Sequence, residues 1–215
     1  GERDGDSVGH ESVLDVILAR GLATRDANLA PPSDKKCVAS PAGGIRSPVG
    51  TSPTITTTRL VLRALREADV DPLTELLQDR RISMNTATIP WPYAREDGVT
   101  FIGRERGPGD HVWALVRADD DAFMGTIGLH EADPRHRRAE LGYWIGAPYW
   151  GDGYATEAAQ AVVDWGFANL DLNRIFACWF PRNPASGRIL EKIGMIDEGM
   201  SREHFEKDGE LLDMR

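Results

Sequence analysis

Aromatic side chains are confined to one part of this chain: all sixteen lie between Trp91 and Phe205. Large rings bring most of the surface that a core can bury, so a core can form only where they occur. Residues 1–53 contain none, and 18 of those positions are Gly, Pro or Ser. Such a segment buries too little to offset the ~1–2 kcal/mol per residue that backbone ordering costs. A low-complexity, mostly disordered extension is therefore predicted over residues 1–53. Its one periodic stretch, Glu11–Ala23, places Val13, Val16, Ile17 and Arg20 on one face and predicts a short amphipathic helix. Residues 54–215 are the size of a single domain.

Composition removes several classes. Asp and Glu outnumber Lys and Arg by 34 to 25, and no basic stripe occurs, so nucleic acid is not an expected partner. No run approaches the ~20 apolar residues that span a bilayer, and the start Gly1-Glu2-Arg3-Asp4 does not read as a signal peptide, so no membrane association and a cytoplasmic location are expected. Cys37 and Cys178 are too few for a disulfide framework. The absent initiator Met leaves a processed or fragmentary sequence as one reading.

From Thr54 strand and helix signals alternate. Strands are predicted at Arg59–Arg63, His111–Arg117, Phe123–Glu131, Arg138–Gly146 and Arg174–Phe180, with a last one from Met195 towards Ser201. Helices are predicted over Glu67–Arg81, Arg95–Arg106, Gly153–Leu170 and Asn183–Gly194. In the third helix Ala155, Ala158, Ala159, Val162, Val163 and Gly166 form one small apolar stripe, suited to close approach to a sheet. Asn183, Pro184 and Gly194 suit the cap, first-turn and terminal positions of the fourth. The order implies an α/β, or mixed α+β, fold: a twisted mixed sheet with helices on both faces.

The chemistry concentrates where a strand, a glycine-containing loop and a long helix meet, at Trp150-Gly151-Asp152-Gly153-Tyr154-Ala155-Thr156. Backbone N–H groups of such a loop can converge on a diphosphate, helped by the partial positive charge of the helix N-terminus. The plain alternative is a turn that only starts a helix. A dinucleotide fingerprint and a P-loop are both absent.

These residues, with Glu140-Leu141-Gly142-Tyr143-Trp144-Ile145 before them and Asn183-Pro184-Ala185-Ser186…Glu191-Lys192-Ile193-Gly194 after, resemble the acetyl-CoA signature of the GNAT acetyltransferase superfamily in its RimJ/RimL-like, ribosomal-protein branch. The likeness spans about 54–213 and includes Thr58–Arg63 and the Pro90–Asp97 loop. It implies the acyl-CoA N-acyltransferase fold and acetyl-CoA as cosubstrate, with no metal. By resemblance the Gly151–Thr156 amides cradle the pyrophosphate, Trp150 and Asp152 included in that loop. The strand ending Trp144-Ile145-Gly146 splays to pair with the pantetheine arm, and Asn183 lines the opposite side. Trp91 and Tyr93 fall in the loop that helps to form the acceptor pocket; core aromatics are the competing reading. A carboxylate at Asp152 opposes a diphosphate unless it points away.

The implied reaction moves acetyl from the thioester directly to an amine, either a protein N-terminal amine or a small molecule, in a monomer or homodimer. The site must take a proton from the amine, stabilise an oxyanion and assist the departing thiolate. Glu140 is the candidate base, acting through water, against the reading of a solvated strand-end carboxylate near Arg137 and Arg138. The amide near Ile145 is the candidate oxyanion donor, and Ser186 the candidate donor to sulfur, against a backbone-capping role. A tyrosine acid is not expected, since none lies beyond Tyr154. His130, Glu131 and His136 lack zinc-site spacing. The resemblance also implies a final strand cut short at Leu211–Arg215. Asp152 and that ending leave a second reading open, a catalytically weak module that binds acyl-CoA or a partner without turnover. A surplus of −8 in residues 54–215 agrees weakly with a cationic acceptor.

Overall fold

The structure is a computed structural model, and it describes residues 21–22, 52–107, 109–133 and 135–215. The strands are β1 (Gly21–Leu22), β2 (Ile55–Thr56), β3 (Leu60–Arg63), β4 (His111–Arg117), β5 (Phe123–Asp133), β6 (Arg138–Ile145), β7 (Arg174–Phe176), β8 (Ile196–Asp197), β9 (Ser201–Lys207) and β10 (Glu210–Met214). The helices are α1 (Val70–Leu76), α2 (Arg80–Met84), α3 (Arg95–Gly103), α4 (Tyr154–Asn169) and α5 (Pro184–Lys192). Strands β2 to β7 form a six-stranded sheet in sequence order, antiparallel throughout except for the parallel β6–β7 pair. The mixed α/β architecture is the one expected.

Alternation along β4 divides two cores. Trp113 and Leu115 point to one face, packed with Ile127, Leu129, Leu141 and the small stripe of α4. Ala114 and Val116 point to the other, with Leu73, Leu77, Phe123 and Trp144. All six stripe residues of α4 are buried. A Cβ on Gly166 would come within 2.6 Å of Leu129, so a larger residue there would push the helix off the sheet.

Several expected bounds move. The helix expected over Glu67–Arg81 is broken into a 3-10 turn (Glu67–Asp69), α1 and α2. The cause is Asp79, whose carboxylate accepts the Arg81 N–H and caps a new helix. Helix α3 ends at Gly103, before the expected Arg106, because Arg104 is extended. The strand expected to reach Phe180 pairs with β6 only to Phe176. Beyond β8, the chain forms the β9–β10 hairpin, so the segment expected to be a strand cut short carries a strand at Glu210–Met214. Arg215 and Trp179 exchange backbone hydrogen bonds of 3.0 and 3.1 Å. The helix expected over Glu11–Ala23 lies outside the described residues except for Gly21 and Leu22, which pair as strand β1 with β8; the expected disorder of residues 1–53 lies almost wholly outside them. Among the described residues no helix is long and apolar enough to cross a membrane.

Candidate active site

The parallel pairing of β6 with β7 stops at Glu140 opposite Phe176. Beyond that point Leu141–Ile145 and Ala177–Trp179 diverge around a cavity of about 390 Å³. On its far side β6 stays bonded to β5, where Gly146 N–H donates to the Met124 carbonyl at 2.8 Å. Antiparallel alternation then turns the neighbouring Ile145 N–H away from β5, towards the open edge. The Ile145 carbonyl on that edge accepts the Trp150 indole N–H at 2.7 Å.

The glycine loop closes the end of this cavity. Gly151 and Gly153 have φ of +92° and +81°, values that favour glycine. Nothing lies within 4 Å of a Cβ built on Gly151, so a ligand can approach its backbone. The first amides of α4, Tyr154 to Thr156, have no intrahelical acceptor and open onto the cavity. Arg59 braces this loop from just before β3: its guanidinium donates to the Asp152 carbonyl (2.9 Å) and to Glu157 (2.7 Å), and it stacks 4.4 Å over the Tyr154 ring. Glu157 also accepts from the Thr57 hydroxyl (2.7 Å) and the Arg59 N–H (2.9 Å). Burial pushes the Glu157 carboxyl up, but these donors together hold it below its ordinary value.

The opposite wall is α5. Asn183 caps it, its amide oxygen accepting the Ser186 N–H at 3.4 Å. The Ser186 hydroxyl meets the Tyr143 phenol at 2.9 Å. Burial pushes Tyr143 up to about 12, so the phenol stays protonated. Arg188 and Lys192 of α5, with Arg81 of α2, place cationic side chains on the cavity lining, where phosphates could be met.

A second cavity, of about 330 Å³, lies on the other face of β6 and shares Tyr143 and Trp144 with the lining of the first. Its floor is the cross-strand pair Gly128–Gly142, with Thr126–Trp144 on one side and His130 on the other. A Cβ on Gly128 would come within 2.8 Å of His130 Nε2, so the ring leans over that glycine. Burial pushes His130 down to about 4, and its Nδ1 lies 3.9 Å from Asp110. One stripe of α3 (Asp97, Thr100, Phe101, with Arg104 just beyond) forms the facing wall, and the Thr88–Pro90 loop and Tyr93 form the rim. Lys207 of β9 reaches over that loop, its ammonium donating to the carbonyls of Ala87 (3.2 Å) and Ile89 (2.9 Å).

Most expected site residues gather at the first cavity: Trp144, Ile145, Trp150, Gly151, Gly153, Tyr154, Ala155, Thr156, Asn183 and Ser186 line it. Gly146 does not, because its N–H is bound to Met124 and its Cα faces Leu76. Asp152 is exposed and off the wall, contributing only its carbonyl to Arg59. Tyr93 lines the second cavity, whereas Trp91 is 41% exposed and outside it. Glu140 is fully buried, which overturns the solvated reading, yet it lies on neither wall; it sits behind the second cavity, opposite His130. Ser186 does not cap backbone with its hydroxyl, since Tyr143 takes it. Tyr143, a tyrosine before Tyr154, is the side chain that meets the Ser186 hydroxyl, a contact that no local spacing in the sequence signals. Among the described residues no cluster could hold a metal.

The profile of the GNAT acetyltransferase domain matches residues 59–196. The chain belongs to the GNAT acetyltransferase family. Membership makes it an acetyl-CoA-dependent acetyltransferase. The chain is similar to an uncharacterised N-acetyltransferase of Bacillus licheniformis, 32% identical over 75% of this chain and 92% of that protein. It is also similar to the ribosomal-protein-serine acetyltransferase of Escherichia coli, 27% identical over 65% of this chain and 80% of the other, in agreement with the RimJ/RimL-like branch. The GNAT-family acetyltransferase from Bacillus anthracis shares the fold with a TM-score of 0.68, at 28% identity over 75% of this chain and 95% of that one. The positive-φ glycines, free helix amides, open strand edge and cationic wall fit a CoA diphosphate and its pantetheine arm.

Proposed function

We infer that this acetyltransferase acts on a primary amine, either a protein N-terminal amine or a small-molecule amine, by direct attack on the thioester. The observation that carries this reading is that the two cavities share Tyr143 and Trp144 in their linings, beside the open Ile145 N–H and the Ser186 hydroxyl. An acyl group delivered through the first cavity and an amine held in the second would be brought together there, as proximity catalysis requires. Ile145 N–H is the oxyanion donor, and Ser186 the donor to the departing sulfur. Gly151, Gly153 and the α4 amides hold the diphosphate, and Asn183 fixes the Ser186 turn.

Glu140 is kept as the proton-accepting carboxylate, on the acceptor face of β6. Because it is buried and outside the cavity lining, the proton would be relayed to it by water, beside its cross-strand neighbour His130. The E. coli relative's name speaks of a ribosomal protein, which favours a protein N-terminal amine among the two acceptor classes. The reading without turnover rested on Asp152 and on the chain's last strand. Asp152 is exposed and outside the cavity lining, which favours turnover.

The test is incubation with acetyl-CoA and a panel of amines: peptides beginning with Ala or Ser, polyamines and free amino acids. Free thiol release is followed in each. Release with one acceptor class is expected; CoA binding with no release on any amine would overturn the proposal.

A further inference from the structure

Tyr143 lines both cavities, and its phenol touches a candidate catalytic group. Its phenol lies 2.9 Å from Ser186 Oγ and 3.3 Å from the Ser186 carbonyl oxygen. The two ends of Ser186 are served by different partners, since its N–H goes to Asn183 and its hydroxyl to Tyr143. Packing holds the turn in place: a Cβ on Gly187 would come within 2.8 Å of the Trp179 ring, so α5 lies directly on that indole.

A phenol carries one hydrogen and so does a serine hydroxyl, which leaves two arrangements. In the first, Tyr143 donates to Ser186 Oγ and the serine hydrogen is free to turn into the cavity. In the second, Ser186 donates to the phenol and Tyr143 to the Ser186 carbonyl at 3.3 Å, which leaves no serine hydrogen for a ligand. Both use the 2.9 Å contact, but only the first leaves a serine hydrogen for a ligand in the cavity, as a donor to sulfur requires.

The geometry points to Tyr143 as a positioning residue that donates to Ser186 Oγ and thereby aims the serine O–H at the sulfur of the acyl donor. This inference rests on the reading of Ser186 as the donor to that sulfur. No bond at Tyr143 or Ser186 breaks. As the amine nitrogen bonds to the acyl carbon, the carbon–sulfur bond breaks and its electron pair stays on sulfur. The Ser186 O–H then stabilises that charge by a hydrogen bond, which is strengthened because its oxygen already accepts from Tyr143. Burial keeps the phenol protonated over the working range, so the donor is never lost by ionisation.

The experiment compares Tyr143→Phe, Ser186→Ala, the double variant and Ser186→Thr, with two readouts. The first is steady-state transfer: each single loss is expected to lower kcat by about 10–100-fold, with the KM for acetyl-CoA within about threefold. The double variant should be no slower than Ser186→Ala, because Tyr143 acts through Ser186. Ser186→Thr, which keeps a hydroxyl, should recover most of the rate. Multiplying losses in the double variant, or a Tyr143→Phe enzyme with wild-type kcat, would overturn the inference.

The second readout needs no turnover: the pKa of the thiol of bound CoA, from its ultraviolet thiolate absorbance. Tyr143→Phe and Ser186→Ala are both expected to raise that pKa above the wild-type value, by similar amounts. A Tyr143→Phe value equal to wild type would sink the inference. If Tyr143→Phe does not fold, 3-fluorotyrosine placed at 143 serves instead: a more acidic phenol should lower the thiol pKa further, and no change would be fatal. Should the wild-type protein acetylate no amine, the functional reading fails while the thiol titration still decides the role of Tyr143.

Discussion

The two cavities that share Tyr143 are built in opposite ways. The first is shaped by backbone: an unpaired edge of β6, two glycines with positive φ and the free amides of α4. The second is shaped by side chains from α3, the loop before it, β4, β5 and β6, over a floor of two glycines. Backbone donors suit a ligand part that never varies, such as a diphosphate. A wall of side chains can change residue by residue while the sheet stays intact, which suits a variable acceptor. Damage to each cavity should therefore stay within it, and four substitutions test that separation.

The largest effect is expected from Gly153→Trp. A tryptophan at φ near +81° is strained by ~1–3 kcal/mol, and its ring would fill the approach to the α4 amides. CoA affinity should fall at least about 100-fold by calorimetry, while the unfolding midpoint drops by only a few degrees. Unchanged affinity would refute the phosphate role of this loop.

Glu157→Gln tests whether the loop needs its brace. Losing charged hydrogen bonds with Thr57 and Arg59 should cost ~1–2 kcal/mol at pH 7, less than for a buried pair because Arg59 is 43% exposed. The folded-state pKa lies below the ordinary 4.5, so the carboxylate stabilises the fold above that value. That contribution is lost as pH falls through the folded pKa. Urea unfolding should show wild type and Glu157→Gln differing at pH 7, with the gap closing as pH falls below 4.5 through the folded pKa; a constant gap would assign the effect to packing.

The same contrast explains what could be read from the sequence. Local signals carried the first cavity: Gly151 and Gly153 before a helix start, the small stripe of α4 and the Asn183-Pro184 cap all act within a few residues. The break at Asp79 was missed because the leucine periodicity runs straight through a residue that also caps. The Tyr143–Ser186 contact joins residues 43 apart and exists only because β6 and β7 diverge, which periodicity does not encode. Glu140 looked solvated beside two arginines, yet β7 and β5 flank it on both sides. The second cavity draws on the loop before α3, α3 itself, β4, β5 and β6, so no spacing in the chain announced it. His130 lacks metal-site spacing in the sequence, and its place over the Gly128 floor of the second cavity follows only from the β4–β5–β6 pairing.

A smaller effect, confined to the second cavity, is expected from Lys207→Ala. Its ammonium ties the Ala87 and Ile89 carbonyls of the rim to β9. Freeing them should raise the acceptor KM by about 3–10-fold, the scale of one or two hydrogen bonds, with the KM for acetyl-CoA unchanged. A matching rise in both constants would show that the cavities are not independent.

The smallest effect should come from Asp152→Asn, although this residue lies inside the glycine loop. A carboxylate aimed at a diphosphate would oppose binding by Coulomb repulsion, and removing it would then tighten CoA severalfold. Here the side chain is exposed and off the cavity wall, so water and salt screen it, while its carbonyl goes on holding Arg59. Asparagine keeps that carbonyl, and CoA affinity should change by less than about twofold at physiological ionic strength. Repeating the titration at low salt separates the cases: a screened, outward charge yields a small gain there that fades as salt is added. A large gain that persists in high salt would mean that Asp152 turns inward when the diphosphate binds. Side-chain charge would then count in the first cavity too, and the division between a backbone site and a side-chain site would fail at that residue.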